Sequence, residues 1–289
     1  MVVGPGTLDI HIRYLLNRFD LVSLADLAGH QHIDVHKKQK KPLCVLTFDD
    51  GWCDFYKYAY PILRKHAAPA TVFLPTDYIG TNRWFWTDRV GHLLERISQS
   101  RKGEGWTSFF RDSPLRDVVS MPGSHETKLE RVIGHLKTYR IDKIEQILSE
   151  LSAVSGEEST PGFRAFLTWG EVREMHESSL VSFGSHTAGH PLLTTLTEDE
   201  AQHELRKSMD ALLSNKVVTS EFISFSYPNG NHSERLSDMV REAGYHLAVT
   251  TQNGWNHQGA NPYTLKRISV HQDMAATQAM LAARIVNSF

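Results

Sequence analysis

Leu43-Cys44-Val45-Leu46-Thr47-Phe48-Asp49-Asp50-Gly51 is a short apolar run closed by two carboxylates and a glycine. Bounded by Pro42 and Gly51, it reads as a strand buried on both faces. A helix is expected over about 54–66, and Ala70-Thr71-Val72-Phe73-Leu74 reads as a second buried strand. Strand, helix and strand in this order make a βαβ unit with a parallel pair. Upstream, residues 7–28 read as a short helix, a strand and a turn, with Leu8, Ile12, Leu15, Leu16 and Phe19 at helical spacing. Downstream, strands are expected at Leu180–Phe183, Phe222–Ser226, His246–Thr250 and Leu265–Val270. Thr168 with Glu171 and Thr197 with Glu200 have capping-box spacing, opening helices that run to about His176 and Leu213. Further helices are expected over about 233–243 and 275–287. Residues 88–165 break the alternation as a mostly helical insertion, in which Asp142 and Glu145 would cap a helix starting near residue 143. The insertion either flanks a site or is a structural excursion. Repeated βα units favour a barrel or a doubly wound sheet.

The 289 residues are 40% hydrophobic and 22% charged, which fits a globular chain with a sizeable core. Lys and Arg total 31 against 33 Asp and Glu, so no basic excess points to nucleic acid. The run Lys37-Lys38-Gln39-Lys40-Lys41 reads as a solvated linker. No stretch is long and apolar enough to span a bilayer, and Met1–Asp9 does not read as a signal peptide. Two sparse cysteines, Cys44 and Cys53, make no disulfide framework, so the expected compartment is the cytoplasm. The sequence does not decide the oligomeric state.

Three polar clusters directly follow buried strands: Asp49-Asp50-Gly51, His186-Thr187-Ala188-Gly189-His190 and Tyr227-Pro228-Asn229-Gly230. In parallel α/β folds the C-terminal strand ends converge on one face, where sites form. Two imidazoles four residues apart can reach one metal. With 16 histidines that spacing is weak by itself, and a second such pair, His32 and His36, follows no strand and reads as surface. Two carboxylates at the end of an apolar strand are costly unless a cation or the next helix uses their charge. Two His nitrogens and one Asp oxygen make a three-ligand set with open positions, and the other carboxylate could act as general base.

Leu46-Thr47-Phe48-Asp49-Asp50-Gly51 together with Ser185-His186-Thr187-Ala188-Gly189-His190 resembles the polysaccharide deacetylase family, which shares the nodulation-type chitooligosaccharide deacetylase domain. The similarity extends to Tyr60-Pro61-Ile62-Leu63, Pro69–Leu74 and Phe225–Gly230; the last resembles the branch that acts on bacterial surface polysaccharides and exopolysaccharides. The resemblance implies a distorted (β/α) barrel of about seven strands, taken here as one domain over 1–289 with a helical insertion at about 88–165. It implies hydrolysis of N-acetyl groups on an N-acetylated sugar or polysaccharide, and one divalent metal, with zinc expected and cobalt, nickel or manganese also compatible. By the same resemblance Asp50, His186 and His190 would bind the metal and Asp49 would be the general base. The backbone N–H at Asn229 would line the oxyanion hole, with Tyr227 and Pro228 shaping that loop at the substrate.

The chain departs from the family pattern in two places. Ser226 stands where an arginine usually orients the base, and no Asp-x-x-Asp-Trp motif is evident near Thr251–Asn256. His271, after Leu265–Val270, is the candidate catalytic acid, or else an exposed loop histidine. Arg267 pairs either with the base or with a structural partner. Trp86, with Trp84, Phe85 and Trp255, is a candidate sugar platform or an ordinary core aromatic. Two other functions fit the same motifs: hydrolysis of a small amide or cyclic ureide, and carbohydrate binding without catalysis.

Overall fold

A computed structural model describes residues 3–30, 41–100, 110 and 113–288 of the chain. They fall into two compact units, Met1–Thr81 with Phe166–Phe289, and Asn82–Ala165. The His32–His36 pair and residues 37–40 of the basic run lie outside the described residues; Lys41 donates to the Leu16 carbonyl at 2.8 Å.

The first unit is built on parallel strands. Strands β1 (Asp20–Leu21) and β2 (Leu43–Cys44) form a two-stranded sheet. Strands β3 (Leu46–Phe48), β4 (Ala70–Leu74), β5 (Val181–Ser185), β6 (Ser224–Ser226) and β7 (Leu247–Val249) form a five-stranded sheet in that order. All pairings within these sheets are parallel. The strand order never reverses, so there is no switch point of the doubly wound kind, and the sheet curls as a half-barrel. The run expected as one strand at 43–48 is two, because the chain changes partner at Val45: Cys44 pairs with Leu21 and Leu46 with Ala70.

Three further expectations are corrected. Leu265–Val270 is not a strand; only Leu265 bridges, in parallel, to Val249, while Ile268 and Val270 pack with Leu15, Ala275 and Leu281. The turn expected before residue 28 is instead a helix, Leu24–His30. Ser23 caps it, its hydroxyl accepting from the Asp26 N–H at 3.0 Å while Asp26 returns a bond to the Ser23 N–H. Asp142 and Glu145 do not cap a helix. The helix Ile141–Ser155 starts after Arg140 without a side-chain cap, and Glu145 pairs with Arg89 at 2.7 Å. The capping boxes at Thr168–Glu171 and Thr197–Glu200 are both present, opening Trp169–Glu177 and Glu198–Ser214.

Among the described residues the second unit contains helices Trp86–Ser100, Arg116–Ser120, His125–Leu136 and Ile141–Ser155, with a core of its own that includes Leu93, Leu94, Val132, Ile147 and Leu148.

Close packing between strands fixes one small residue. Gly184 of β5 lies opposite Phe73 of β4, and a Cβ there would sit 2.7 Å from the Phe73 ring and 2.5 Å from the Ser224 hydroxyl. Gly184→Ala is therefore expected to cost about 1–3 kcal/mol, read as a lower urea midpoint at unchanged slope. An unaltered midpoint would contradict this packing.

Candidate metal and hydrolytic site

The ends of β3, β5 and β6 bring the three polar clusters together. Asp49 and Asp50 follow Phe48, His186 follows Ser185, and the Tyr227–Gly230 turn follows Ser226. Asp50, Thr187 and His190 all have left-handed backbone, with φ of 72°, 65° and 59°. That conformation costs an L-residue about 1–2 kcal/mol. Strain of this kind persists only where the surroundings enforce it, and it concentrates at functional sites.

The left-handed turn at Asp50 sends the two adjacent carboxylates to different partners. Asp49 receives a two-pronged bond from Arg267, Nη1 to Oδ1 at 2.8 Å and Nη2 to Oδ2 at 2.7 Å. The Ser226 hydroxyl adds a bond to Oδ1 at 3.3 Å. Arg267 is itself fixed, donating from Nε to the Thr250 carbonyl at 2.8 Å. Burial works against ionising Asp49, but the charge and hydrogen bonds of Arg267 outweigh it and hold the carboxyl below its ordinary value. Arg267, on the segment after β7, thus clamps Asp49, and Ser226 stands beside it.

Asp50 faces the histidines. Its Oδ1 lies 3.5 Å from His186 Nε2 and 3.4 Å from His190 Nε2. These three groups offer ligand atoms all within 4.8 Å of one another. His186 is buried, at 2% exposure, and its Nδ1 lies 2.6 Å from the Ser226 carbonyl. A carbonyl only accepts, so Nδ1 carries the proton. Burial lowers the His186 pKa, so the neutral ring presents a bare lone pair at Nε2. Burial also opposes charge on Asp50, but other effects, led by its hydrogen bond with His190, outweigh that and lower its pKa to about 2. A carboxylate oxygen and an imidazole lone pair facing each other repel unless a cation lies between them. The donor set of two imidazoles and a carboxylate fits a divalent transition metal.

The loop between the histidines is anchored from helix Glu198–Ser214. Glu204 accepts the Ala188 and Gly189 N–H groups at 3.0 and 2.7 Å. The Pro228–Gly230 turn closes through Gly230 N–H to the Tyr227 carbonyl and Asn231 N–H to the Pro228 carbonyl, and neither bond uses the Asn229 N–H. Asn229 is left-handed, with φ 57°, and its carbonyl is held by the Thr251 hydroxyl. A Cβ on Gly230 would overlap that hydroxyl, so only glycine fits there.

The candidate substrate residues Tyr227, Pro228, Phe85, Trp86 and Trp255 are each packed to some degree against the core. Tyr227 is completely buried, with its hydroxyl donated to the Tyr263 carbonyl at 3.0 Å, so it supports the turn from behind. Pro228 is buried in the same turn. Trp255 points its indole N–H at the Ile285 carbonyl and packs beside Phe19, and Phe85 is buried. Trp86, in the second unit, is half-buried against that unit's core. His271 starts the short helix Gln272–Ala275 and is half-buried. Trp52, Glu204 and Thr251 were not expected from the sequence, although each bonds directly to this constellation.

Fold and site together define a parallel α/β scaffold with an Asp–His–His cluster that could hold a metal, beside a separately held carboxylate. The polysaccharide deacetylase profile matches residues 36–248, and the chain belongs to that family. YxkH of Bacillus subtilis, a relative named for the same family, is 22% identical over 241 residues; the match covers 83% of this chain and 56% of YxkH, so this chain spans little more than half of that protein. Among solved structures, Streptococcus pyogenes deacetylase PplD in complex with acetate aligns with a TM-score of 0.61 at 20% identity, covering 99% of this chain and 88% of PplD. IcaB from Ammonifex degensii aligns with a TM-score of 0.60 at 16% identity, covering 98% and 90%. Both share the fold.

Replacing Arg267 by Met leaves the half-buried Asp49 without its cation. The Asp49 pKa, followed by carboxyl 13C NMR, is expected to rise by about 1–3 units. An unchanged value would show that Arg267 does not hold the charge on Asp49.

Proposed function

We propose that this chain is a metal-dependent hydrolase that removes N-acetyl groups from an N-acetylated saccharide, releasing acetate and the free amino sugar. The observation that carries the reading is the approach of the His186 and His190 Nε2 atoms to Asp50 Oδ1 with the His186 proton committed to Ser226. Family membership supports a carbohydrate amide as substrate. One divalent ion held by Asp50, His186 and His190, zinc before cobalt, nickel or manganese, would supply Lewis-acid polarisation of the acetamide carbonyl. Asp49, kept ionised by Arg267, removes a proton from water as its oxygen attacks the carbonyl carbon. The Asn229 N–H donates to the developing oxyanion, and such a donor contributes roughly 3–4 kcal/mol in comparable sites. His271 is assigned the protonation of the leaving nitrogen as the C–N bond breaks.

Acetate release from N-acetylated oligosaccharides should disappear on chelation and return on adding zinc. His186→Ala should lose more than about 100-fold in kcat/KM while its melting transition stays near wild type. Wild-type turnover by that variant would refute the metal reading. Faster hydrolysis of small amides or cyclic ureides than of oligosaccharides would refute the saccharide reading, and sugar binding without acetate release would make the chain a binding protein. For the acid, His271→Gln should lower kcat by about 100–10,000-fold; a variant at the wild-type rate removes that role from His271 alone.

A further inference from the structure

The two oxygens of Asp50 have different neighbours. Oδ1 faces the imidazole nitrogens of His186 and His190, while Oδ2 accepts the indole N–H of Trp52 at 3.2 Å. The left-handed turn at Asp50 and Gly51 brings Trp52 back over the carboxylate two residues before it. The indole is itself confined. It stacks on the Phe166 ring at 4.7 Å and 19°, and Trp52 and Phe166 form an antiparallel bridge. Leu167 donates its N–H to the Gly51 carbonyl at 2.8 Å, and the Tyr78 ring packs on Phe166 at 5.0 Å.

An aspartate carboxyl rotates easily about its last torsion. A free carboxylate could therefore offer a cation either oxygen, or both. We propose that Trp52 is a positioning residue for the metal-binding carboxylate: its indole N–H occupies Oδ2 and reserves Oδ1 for the cation shared with His186 and His190. The inference rests on the metal reading above and adds to it a residue that touches neither cation nor substrate. Groups that orient a ligand in this way typically change metal affinity by about 10–100-fold when removed.

Trp52→Phe keeps a ring to stack on Phe166 and deletes the N–H. Two measurements test the role: zinc affinity of the apo protein by competition with a chromophoric chelator, and the visible spectrum of the cobalt-loaded protein. Trp52→Phe should bind zinc about 10–100-fold more weakly and show altered cobalt bands, because the released carboxylate can engage through both oxygens. Phe166→Leu, which retains the indole N–H, should lose much less. Wild-type zinc affinity and an unchanged cobalt spectrum in Trp52→Phe would overturn the proposal. Equal losses in the two variants would overturn it too, by assigning the effect to ring packing. Wild-type protein that takes up neither ion would instead bring down the metal reading itself, and the proposal with it.

Discussion

A neutral imidazole that donates its Nδ1–H to a carbonyl has only a lone pair at Nε2. In this chain that lone pair, on His186, points at a carboxylate oxygen of Asp50, with the His190 ring at a similar distance from the same oxygen. The His186 lone pair and the Asp50 oxygen, both electron-rich, are held together there by a backbone that is left-handed at Asp50 and His190. The parallel sheet makes the meeting possible, because β3, β5 and β6 all end on one side. Ser226 links the parts: its carbonyl sets the His186 tautomer and its hydroxyl bonds to Asp49.

Two identical residues side by side in the chain acquire different chemistry from their surroundings. Asp49 has a guanidinium clamped across both oxygens, which favours its ionised form in a half-buried position. Asp50 has one oxygen toward the imidazoles and the other under an indole. The left-handed backbone of Asp50 itself does the sorting. An extended backbone would also put successive side chains on opposite faces, but it would not return Trp52 to the carboxylate.

Much of this is legible in the sequence, for physical reasons. Parallel strands appear as apolar runs at Leu43–Phe48, Ala70–Leu74 and His246–Thr250, although β2 and β3 are only half-buried while β4 and β7 are buried, and polar residues directly after such runs mark the site face. Two capping boxes are visible because they are local, spanning three residues. What is hidden is set by tertiary partners. Asp142–Glu145 has the spacing of a cap, yet Glu145 is used by Arg89. Leu265–Val270 has the composition of a strand, but Ile268 and Val270 pack against helices and only Leu265 bridges to the sheet through its backbone. Arg267 lies 218 residues from Asp49, so no spacing rule connects them. Glu204 and Trp52 look like an ordinary helix carboxylate and an ordinary aromatic until the fold places them. Tyr227 errs in the other direction: an aromatic in a site motif suggests substrate contact, whereas alternation from Ser226 turns it into the core.

The central claim is that Asp50, His186 and His190 hold one divalent cation. Crystals grown with zinc and measured on both sides of the zinc absorption edge test it most directly. A single anomalous peak about 2.0–2.2 Å from Asp50 Oδ1 and both Nε2 atoms is expected. A peak bound elsewhere, or none at this triad with zinc in the crystal, would contradict the account.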